Sequence, residues 1–534
     1  MTASDPKANA EILGSAQNDG VGGGDGAAAT PHFVRGMGLF SATAIVMGSM
    51  IGSGIFIVSA EMSRVVGSPA LLIAAWLVTA AMTITGALSY GELAAMMPKA
   101  GGQYVYLREA LGPLWGFLYG WTLFLVIQTG TIAAVGVAFG KFLGVFFPSV
   151  NANNWLWHIG HVPALPVGPM VLGNMDIGLN TANLAAIVII VLLTVLNTFG
   201  VKLGASVQNV FTSAKVLALA AVVLVGVLAR NASAMATNFG TGWHNFWAGS
   251  GWHTLHAVQV GVGGPTAYVG LFTVIAVVQV GSLFSSDAWN NVTFTAGEIE
   301  NPKRNLPLSL AIGTGAVSLL YIACNFVYLS VLPMAGAEHA TTLAGRGIQF
   351  AAQDRVATAV MQSAFGGIGA KLMAGAILVS TFGCANGMLL AGARVYYAMS
   401  RDGLFFKSVG KLGRSGVPVN SLWVQCVWTC LLCLSGSYGQ LLDYVIFAAL
   451  GFYFLTIVGL FVLRRTEPDA VRPYRAFGYP VLPAVYIAMA AWICVVLLRY
   501  KPQYTWPGLI LVLLGVPVYL VWKRLGTATE EQGS

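Results

Sequence analysis

Two short stretches rich in glycine and serine interrupt apolar segments that are otherwise long enough to cross a membrane. The first is residues 48–56 (GSMIGSGIF), and the second is residues 281–289 (GSLFSSDAW). Glycine inside a helix costs about 1 kcal/mol relative to alanine, and lipid cannot pair the backbone groups that a break exposes. Such a break persists when another partner satisfies those groups, and a substrate or ion near the bilayer midplane is a common one. The two stretches therefore predict a ligand site built from backbone amides and carbonyls.

Two charged residues within the apolar segments are functional candidates. An ammonium in a membrane span is costly unless it is paired or faces a cavity, so Lys215 is a functional candidate. The alternative is a lysine whose side chain extends to the membrane surface. Asp287 lies inside the second stretch, where its carboxylate could cap freed amides, bind a cationic side chain or take up a proton. The sequence leaves these three roles open.

The composition predicts the class of protein that must position these residues. With 57% hydrophobic residues, 9% charged residues and a mean hydropathy of +0.75, the 534-residue chain differs strongly from soluble domains. We predict an all-α membrane protein whose partners include the lipid bilayer, with twelve apolar segments of spanning length. The predicted spans are residues 39–66, 70–97, 113–147, 181–203, 204–230, 268–297, 307–332, 367–400, 420–437, 441–464, 480–500 and 506–523.

The polar ends and loops predict the orientation. Residues 1–35 lack the pattern of a cleaved signal peptide and are expected to form a disordered tail. Most of the 27 lysines and arginines fall on the side of the two termini, which predicts a multi-pass protein of the cell membrane with both termini in the cytoplasm. The net charge of +8 is scattered over short loops, so it reflects orientation and contact with anionic lipid rather than binding of nucleic acid.

An internal repeat organises the predicted spans. Residues 48–56 align without gaps to residues 281–289, and each stretch opens the first span of a five-span block. Because five is odd, the second block must be inverted relative to the first, which gives a 5+5 inverted repeat with broken first and sixth helices. The predicted parts are a tail at 1–35, a core at 36–500 with repeats at about 39–230 and 268–464 and the first appended helix, and a last helix with a tail at 501–534.

Cysteines and histidines give weaker signals. The six cysteines all fall in predicted spans, where a thiol behaves as a small hydrophobe, so no metal or cofactor is expected. The segments 148–180 and 231–267 on the exterior side are rich in tryptophan and histidine. We interpret them as aromatic belts at the membrane interface, and a zinc or pH-sensing site is the alternative.

Several motifs together resemble those of the amino acid–polyamine–organocation transporters, and within them the L-type amino acid transporters and their bacterial homologues. The similarity extends from about residue 35 to residue 500. The fold that the resemblance implies has two inverted five-helix repeats. The motifs that carry it are residues 48–56, 98–104 (PKAGGQY), 298–307 (EIENPKRNLP), 380–386 (STFGCAN) with Arg394, 400–403 (SRDG) and 472–474 (RPY).

The resemblance implies roles for residues at both breaks. The substrate carboxylate would meet amides at the positive end of a half-helix, and the ammonium would meet carbonyls. Glycine lets the ligand approach the backbone, although a glycine cluster that serves helix packing is the alternative. The implied substrate site comprises Met50, Gly52, Ser53, Gly54, Ile55, Phe284, Ser285, Asp287 and Asn290, with carbonyls from Met50, Phe284 and Ser285 and an aromatic gate from Phe284.

The resemblance also implies how the transport cycle is coupled. In sodium-independent members a lysine of the fifth span occupies the place of sodium, so Lys215 would tie the first span to the eighth, with Ser380 as its partner there. The family often has an acid followed by glycine in the sixth span, whereas this chain has Ala288 after Asp287. That departure puts the width of the pocket in doubt.

The predicted function is sodium-independent exchange of small or medium-sized neutral L-amino acids by alternating access. The alternatives are a proton-coupled symporter of amino acids, including cationic ones, or of polyamines, and a receptor or scaffold with the same fold. No catalytic residues are expected, because the predicted spans contain no histidine and no hydrolase motif appears. Animal L-type transporters pair with a glycoprotein through a cysteine after the third span. Because residues 148–180 contain no cysteine, no disulfide-linked heavy subunit is expected and a bacterial source is favoured.

Overall fold

The protein is described by a computed structural model. The described residues are 33, 35–163, 165–167, 170–172, 175–261, 264–413, 415–434 and 438–531. The predicted disordered tail, residues 1–35, lies outside this part of the chain apart from Phe33 and Arg35. The described residues belong to one compact unit, Phe33–Ser534.

Helices account for most of the described chain. Proline at the first turn begins several of them, because its fixed φ suits that position and its missing N–H has no partner there anyway. In chain order they are α1 (Leu39–Met50), α2 (Val58–Val66), α3 (Pro69–Met96), α4 (Gln103–Leu111), α5 (Pro113–Leu143), α6 (Thr181–Thr198), α7 (Val201–Leu228), α8 (Ala232–Asn238), α9 (Leu271–Ser285), α10 (Asn291–Phe294), α11 (Pro302–Val331), α12 (Leu343–Arg346), α13 (Val356–Arg401), α14 (Val419–Cys433), α15 (Tyr438–Thr466), α16 (Val481–Tyr500) and α17 (Pro502–Glu531).

The prediction of a helical membrane protein is confirmed. Within the described residues, nine helices are long and apolar enough to cross a membrane, judged by length and composition: α3, α5, α6, α7, α11, α13, α15, α16 and α17. Three shorter apolar helices, α1, α9 and α14, lie in the predicted first, sixth and ninth spans. The total of twelve spans and the inversion of the two repeats stay predictions.

The loops predicted to lie outside the membrane contain strands, which the prediction of an all-α chain missed. Trp155–Val162 (β1) pairs antiparallel with Met175–Asn180 (β4), and the short strands Leu165–Val167 (β2) and Met170–Leu172 (β3) pair with each other. His256–Gln259 (β5) pairs with Thr266–Val269 (β6). Aromatic and β-branched residues favour extended backbone, and β1 has Trp155, Trp157 and Ile159 at alternate positions.

The helix α1 lies at the centre of the packing. It contacts α7, α11 and α13, and most of its residues are buried. Gly313 of α11 allows close approach, because a Cβ atom there would lie 2.5 Å from a methyl carbon of Val46. Gly48 of α1 likewise allows close approach to α7, because a Cβ atom there would clash with the Gln208 side chain. This close packing holds the first broken span against three neighbouring helices.

Buried ion pairs fix the end of the bundle at which α1 begins. Glu298 and Arg394 are each 1% exposed, and the guanidinium Nε lies 3.0 Å from the carboxylate. The Glu298 carbonyl also accepts hydrogen bonds from the amides of Gly36 and Met37. A second buried carboxylate, that of Glu92, accepts from Arg464 at 2.6 Å. The chain before α1 is thereby joined to the segment that follows the second break.

Candidate substrate site between two broken helices

The first break separates α1 from α2. Helix α1 ends at Met50, and Ile51 leaves the helical region with φ −77° and ψ 90°. A single 3₁₀ turn covers Gly54–Phe56 before α2 begins. The glycines and serine of this stretch therefore unwind the span near its middle, at the place that the sequence predicted.

The second break separates α9 from α10. Helix α9 ends at Ser285, and Ala288 adopts a left-handed conformation with φ +61°. An L-residue in this region is strained by about 1–2 kcal/mol relative to its ordinary conformations. Ala288 thus holds a backbone conformation that favours glycine. The departure from the family pattern changes the strain at this position but keeps the break.

The two breaks meet each other. A Cβ atom built on Gly54 would lie 2.3 Å from the Ser285 hydroxyl oxygen and 2.9 Å from the Ser285 Cα. The Tyr321 hydroxyl lies 3.1 Å from the Met50 carbonyl oxygen and 3.0 Å from the Ser285 carbonyl oxygen. Trp76 packs edge-on against Tyr321. The C-terminal carbonyls of α1 and α9 therefore converge on one phenol.

Sequence reasoning missed Tyr321. A signal was available, because a buried tyrosine hydroxyl in an apolar span needs a hydrogen-bond partner. The sequence alone does not say that the partners lie 36 and 271 residues away.

Lys215 reaches the first break from α7. Its side chain is fully buried, and Nζ donates to the carbonyls of Gly48 at 2.7 Å and Ile51 at 2.8 Å. The ammonium therefore lies inside the bundle rather than at the membrane surface. Both acceptors belong to the C-terminal end of α1, where the helix dipole is negative.

Ser380 reaches the same backbone from α13. Its hydroxyl lies 3.2 Å from the Ile51 carbonyl oxygen and 2.9 Å from the Gly52 carbonyl oxygen. Lys215 and Ser380 thus meet at the carbonyl of Ile51. The Cys384 thiol, one turn further along α13, donates to the Ser49 carbonyl at 3.0 Å. These contacts connect α7 and α13 through the unwound segment.

Asp287 is buried in the second break. Its Oδ1 accepts a hydrogen bond from the Tyr453 hydroxyl at 2.5 Å. The same hydroxyl lies 3.1 Å from Asn290 Oδ1, and Asn290 Nδ2 donates to Gln103 Oε1 at 2.7 Å. The carboxylate is therefore part of a network that reaches α15 and α4.

A small cavity lies between the breaks, next to α5 and α13. Four predicted residues do not line it. Ile55 turns its carbonyl to the Tyr328 hydroxyl at 3.3 Å, Asn290 lines a neighbouring cavity, and Lys215 and Ser380 lie behind the unwound backbone. The lining consists of Ser49, Met50, Gly52, Ser53, Gly54, Thr131, Val135, Phe284, Ser285, Asp287, Ala288 and Cys384.

The histidines of the first loop hairpin lie away from this site. His158 Nε2 and His161 Nδ1 lie 3.3 Å and 3.1 Å from Oδ1 of Asp176 on the paired strand. These two contacts hold the pKa of the Asp176 carboxyl below its usual range. Among the described residues, no group of three or more histidine, cysteine or acidic side chains is arranged to hold a metal ion.

Comparison with known proteins agrees with this architecture. A model of the amino acid permease family matches residues 37–519. "Large neutral amino acids transporter small subunit 2" of Oryctolagus cuniculus is 28% identical over 493 residues, which cover 91% of this chain and 80% of that protein. "b(0,+)-type amino acid transporter 1" of Homo sapiens is 28% identical over 492 residues, which cover 91% of this chain and 86% of that protein.

The predicted resemblance is confirmed, since the matched residues include both breaks and the helices around them. The chain therefore belongs to the amino acid permease family, and it is a membrane transporter of amino acids similar to the L-type transporters.

Proposed function

We propose that this protein is a sodium-independent exchanger of small and medium-sized neutral L-amino acids that works by alternating access. The observation that carries the proposal is the Lys215 ammonium, which bonds the carbonyls of Gly48 and Ile51 at the end of α1. A fixed positive charge at this helix terminus supplies the neutralisation that a sodium ion would otherwise provide. Two cations cannot share the same carbonyls favourably, so sodium is not required.

The substrate would bind between the two breaks with its charged groups on the backbone. Its carboxylate would accept hydrogen bonds from the amides of residues 52–54, at the start of the single turn Gly54–Phe56. The Gly52 amide, which donates to the Met50 carbonyl at 2.9 Å, would exchange that partner for the substrate. Its ammonium would donate to the carbonyls of Met50, Phe284 and Ser285 at the C-terminal ends of α1 and α9. The convergence of the Met50 and Ser285 carbonyls on the Tyr321 hydroxyl supports this arrangement.

Alternating access would use the connection between α1, α7 and α13. Lys215 of α7 and Ser380 of α13 both donate hydrogen bonds to the unwound backbone. If the inner half of the first span moves during inward opening, these hydrogen bonds are the ones that must break and re-form. Lys215 would then couple occupancy of the site to that movement.

A proton-coupled or cation-accepting transporter is the second candidate. The buried Asp287 carboxylate, which lines the cavity between the breaks, favours it. Such a group could pair with a cationic side chain or a polyamine, or take up a proton during the cycle. Uptake driven by an imposed pH gradient at zero membrane potential separates proton coupling from exchange.

We further propose that the protein acts in the cell membrane, with both termini inside, and without a disulfide-linked heavy subunit. One relative is named as a small subunit, so it is a part of a larger assembly. In this chain all six cysteines lie in helices α11, α13, α14 and α16, and residues 148–180 contain none. Migration as one chain on non-reducing gels from native membranes would support the proposal.

The test is transport by the purified protein in proteoliposomes with a panel of labelled L-amino acids. We expect uptake of neutral amino acids to be equal in sodium and in choline. A strong loss in choline would refute the role of Lys215. No transport of any L-amino acid would favour a receptor or scaffold.

A further inference from the structure

A second small cavity adjoins the cavity between the breaks. Thr131, Asp287 and Ala288 line both cavities, so the two spaces are neighbours. A substrate whose carboxylate and ammonium bind the unwound backbone would direct its side chain toward this second space. The lining of the second cavity therefore bears on which side chains are accepted.

Most polar groups around the second cavity already have protein partners. Gln128 Nε2 donates to the Met388 carbonyl at 2.7 Å, and the Thr131 hydroxyl donates to the Ile127 carbonyl at 2.6 Å. Both ends of the Asn290 amide are bonded, to Gln103 and to Tyr453. The bonds of Gln128 and Asn290 join neighbouring helices, and the bond of Thr131 lies within its own helix.

Asn291 is different. It is 1% exposed, it lines the second cavity, and its Nδ2 has no hydrogen-bond partner among the described residues. A buried N–H group without an acceptor is unfavourable, so a ligand that supplies an acceptor there gains affinity. Asp287 lines the same cavity and offers the opposite chemistry. Its Oδ1 accepts from Tyr453, and an ionised carboxylate has further lone pairs to accept with.

We infer that the second cavity selects amino acids whose side chain ends in a primary carboxamide, with glutamine as the best match. This inference rests on the proposed function. A carboxamide carries a carbonyl for Asn291 Nδ2 and an NH₂ group for the Asp287 carboxylate. The ammonium of lysine has donors only, and it leaves Nδ2 without an acceptor. The carboxylate of glutamate has acceptors only, and it meets the negative charge of Asp287. Methionine has similar length and only a weak acceptor.

The test compares these four side chains of similar length in one assay. Proteoliposomes loaded with alanine take up labelled L-alanine, and unlabelled glutamine, methionine, lysine or glutamate competes from outside. We expect glutamine to inhibit at the lowest concentration. Inhibition by methionine or lysine at an equal or lower concentration would overturn the inference while leaving the proposed function intact. Failure to transport alanine at all would overturn the proposed function and the inference with it.

Variants of Asn291 test whether this residue causes the preference for glutamine. Asn291→Ala should weaken inhibition by glutamine about fivefold, as expected for one hydrogen bond, and leave methionine unchanged. Equal weakening of the inhibition by glutamine and by methionine would indicate that Asn291 has a structural role only, and it would overturn the inference. Asn291→Asp is nearly isosteric, so it retains the packing if the alanine variant fails to fold, and it should shift the preference toward lysine. Asn209→Ala is the matched control, because Asn209 Nδ2 bonds Ser41 of α1 outside the cavity.

Discussion

Replacing Gly54 by alanine tests whether the meeting point of the two breaks forms the substrate site. The new Cβ would lie 2.3, 2.8 and 2.9 Å from the Ser285 hydroxyl oxygen, Cβ and Cα. Real Cβ atoms essentially never come so close, and one of the contacts is with backbone, so the two breaks must move apart. The carbonyls of Met50 and Ser285 would then no longer converge on Tyr321.

The size of the effect follows from the cost of overpacking a buried site. One extra methyl group in a well-packed interior costs about 1–3 kcal/mol. If substrate binding requires the two breaks to stay close together, that cost lowers the affinity for the substrate by about 5- to 150-fold. Gly54→Val, with a larger branched side chain, should abolish binding. Removing the Ser285 side chain should restore part of the loss, because two of the three contacts disappear in a Gly54→Ala/Ser285→Gly double variant.

The assay is equilibrium binding of labelled L-alanine to the purified protein, together with thermal unfolding. Gly315→Ala is the matched control, since a Cβ atom on that glycine of α11 would meet nothing within 4 Å. We expect the control to bind normally and Gly54→Ala to bind at least fivefold more weakly while remaining folded. Normal affinity in Gly54→Ala would mean that the glycine serves packing alone and that the meeting point of the two breaks is not the substrate site.

Three further substitutions test other parts of the account. Lys215→Ala should slow exchange about tenfold or more with a smaller effect on folding, because the hydrogen bonds to a charged group are lost; normal exchange rates would contradict the proposed coupling. Ala288→Gly should raise the free energy of unfolding by about 1 kcal/mol, since glycine relieves the strain of a left-handed φ; an unchanged melting temperature in detergent would argue against that strain. Glu298→Gln should destabilise the protein by about 3–5 kcal/mol, because the buried Arg394 guanidinium loses its counter-charge. A Glu298→Gln/Arg394→Met double variant should recover much of this loss in the same melting assay, and an equal loss would show that the pair is not coupled.

The sequence was most informative where local composition conflicts with a continuous span. Glycine and serine at 48–56 predicted the first break, and Asp287 with its neighbours predicted the second. Lys215 stood out because an ammonium is rare in an apolar helix. The membrane class followed from composition, since the chain has too few charged residues for a soluble protein.

Partners far apart in the chain could not be predicted in the same way. Tyr321 bonds carbonyls of two other helices, and Tyr453 bonds Asp287 from 166 residues away. Nothing in either local sequence specifies these contacts, because they depend on how helices pack. The neighbouring cavity that Asn291 lines could not be predicted for the same reason.

Some boundaries could be predicted closely. The eighth span was predicted at 367–400, and the long helix α13 is interrupted by a non-helical residue at Gly366, with φ +60° and ψ −146°, so its main part begins at the predicted position. The strands of the loops were missed because those segments were interpreted by their overall composition and not examined for short extended segments.

An exchanger moves labelled substrate into a vesicle only in return for substrate inside it. Proteoliposomes with the purified protein are loaded with buffer or with unlabelled L-alanine, and uptake of labelled L-alanine is followed in choline buffer. We expect rapid uptake only into the vesicles that contain internal amino acid. Equal uptake into both kinds of vesicle, or uptake that requires sodium, would contradict the account.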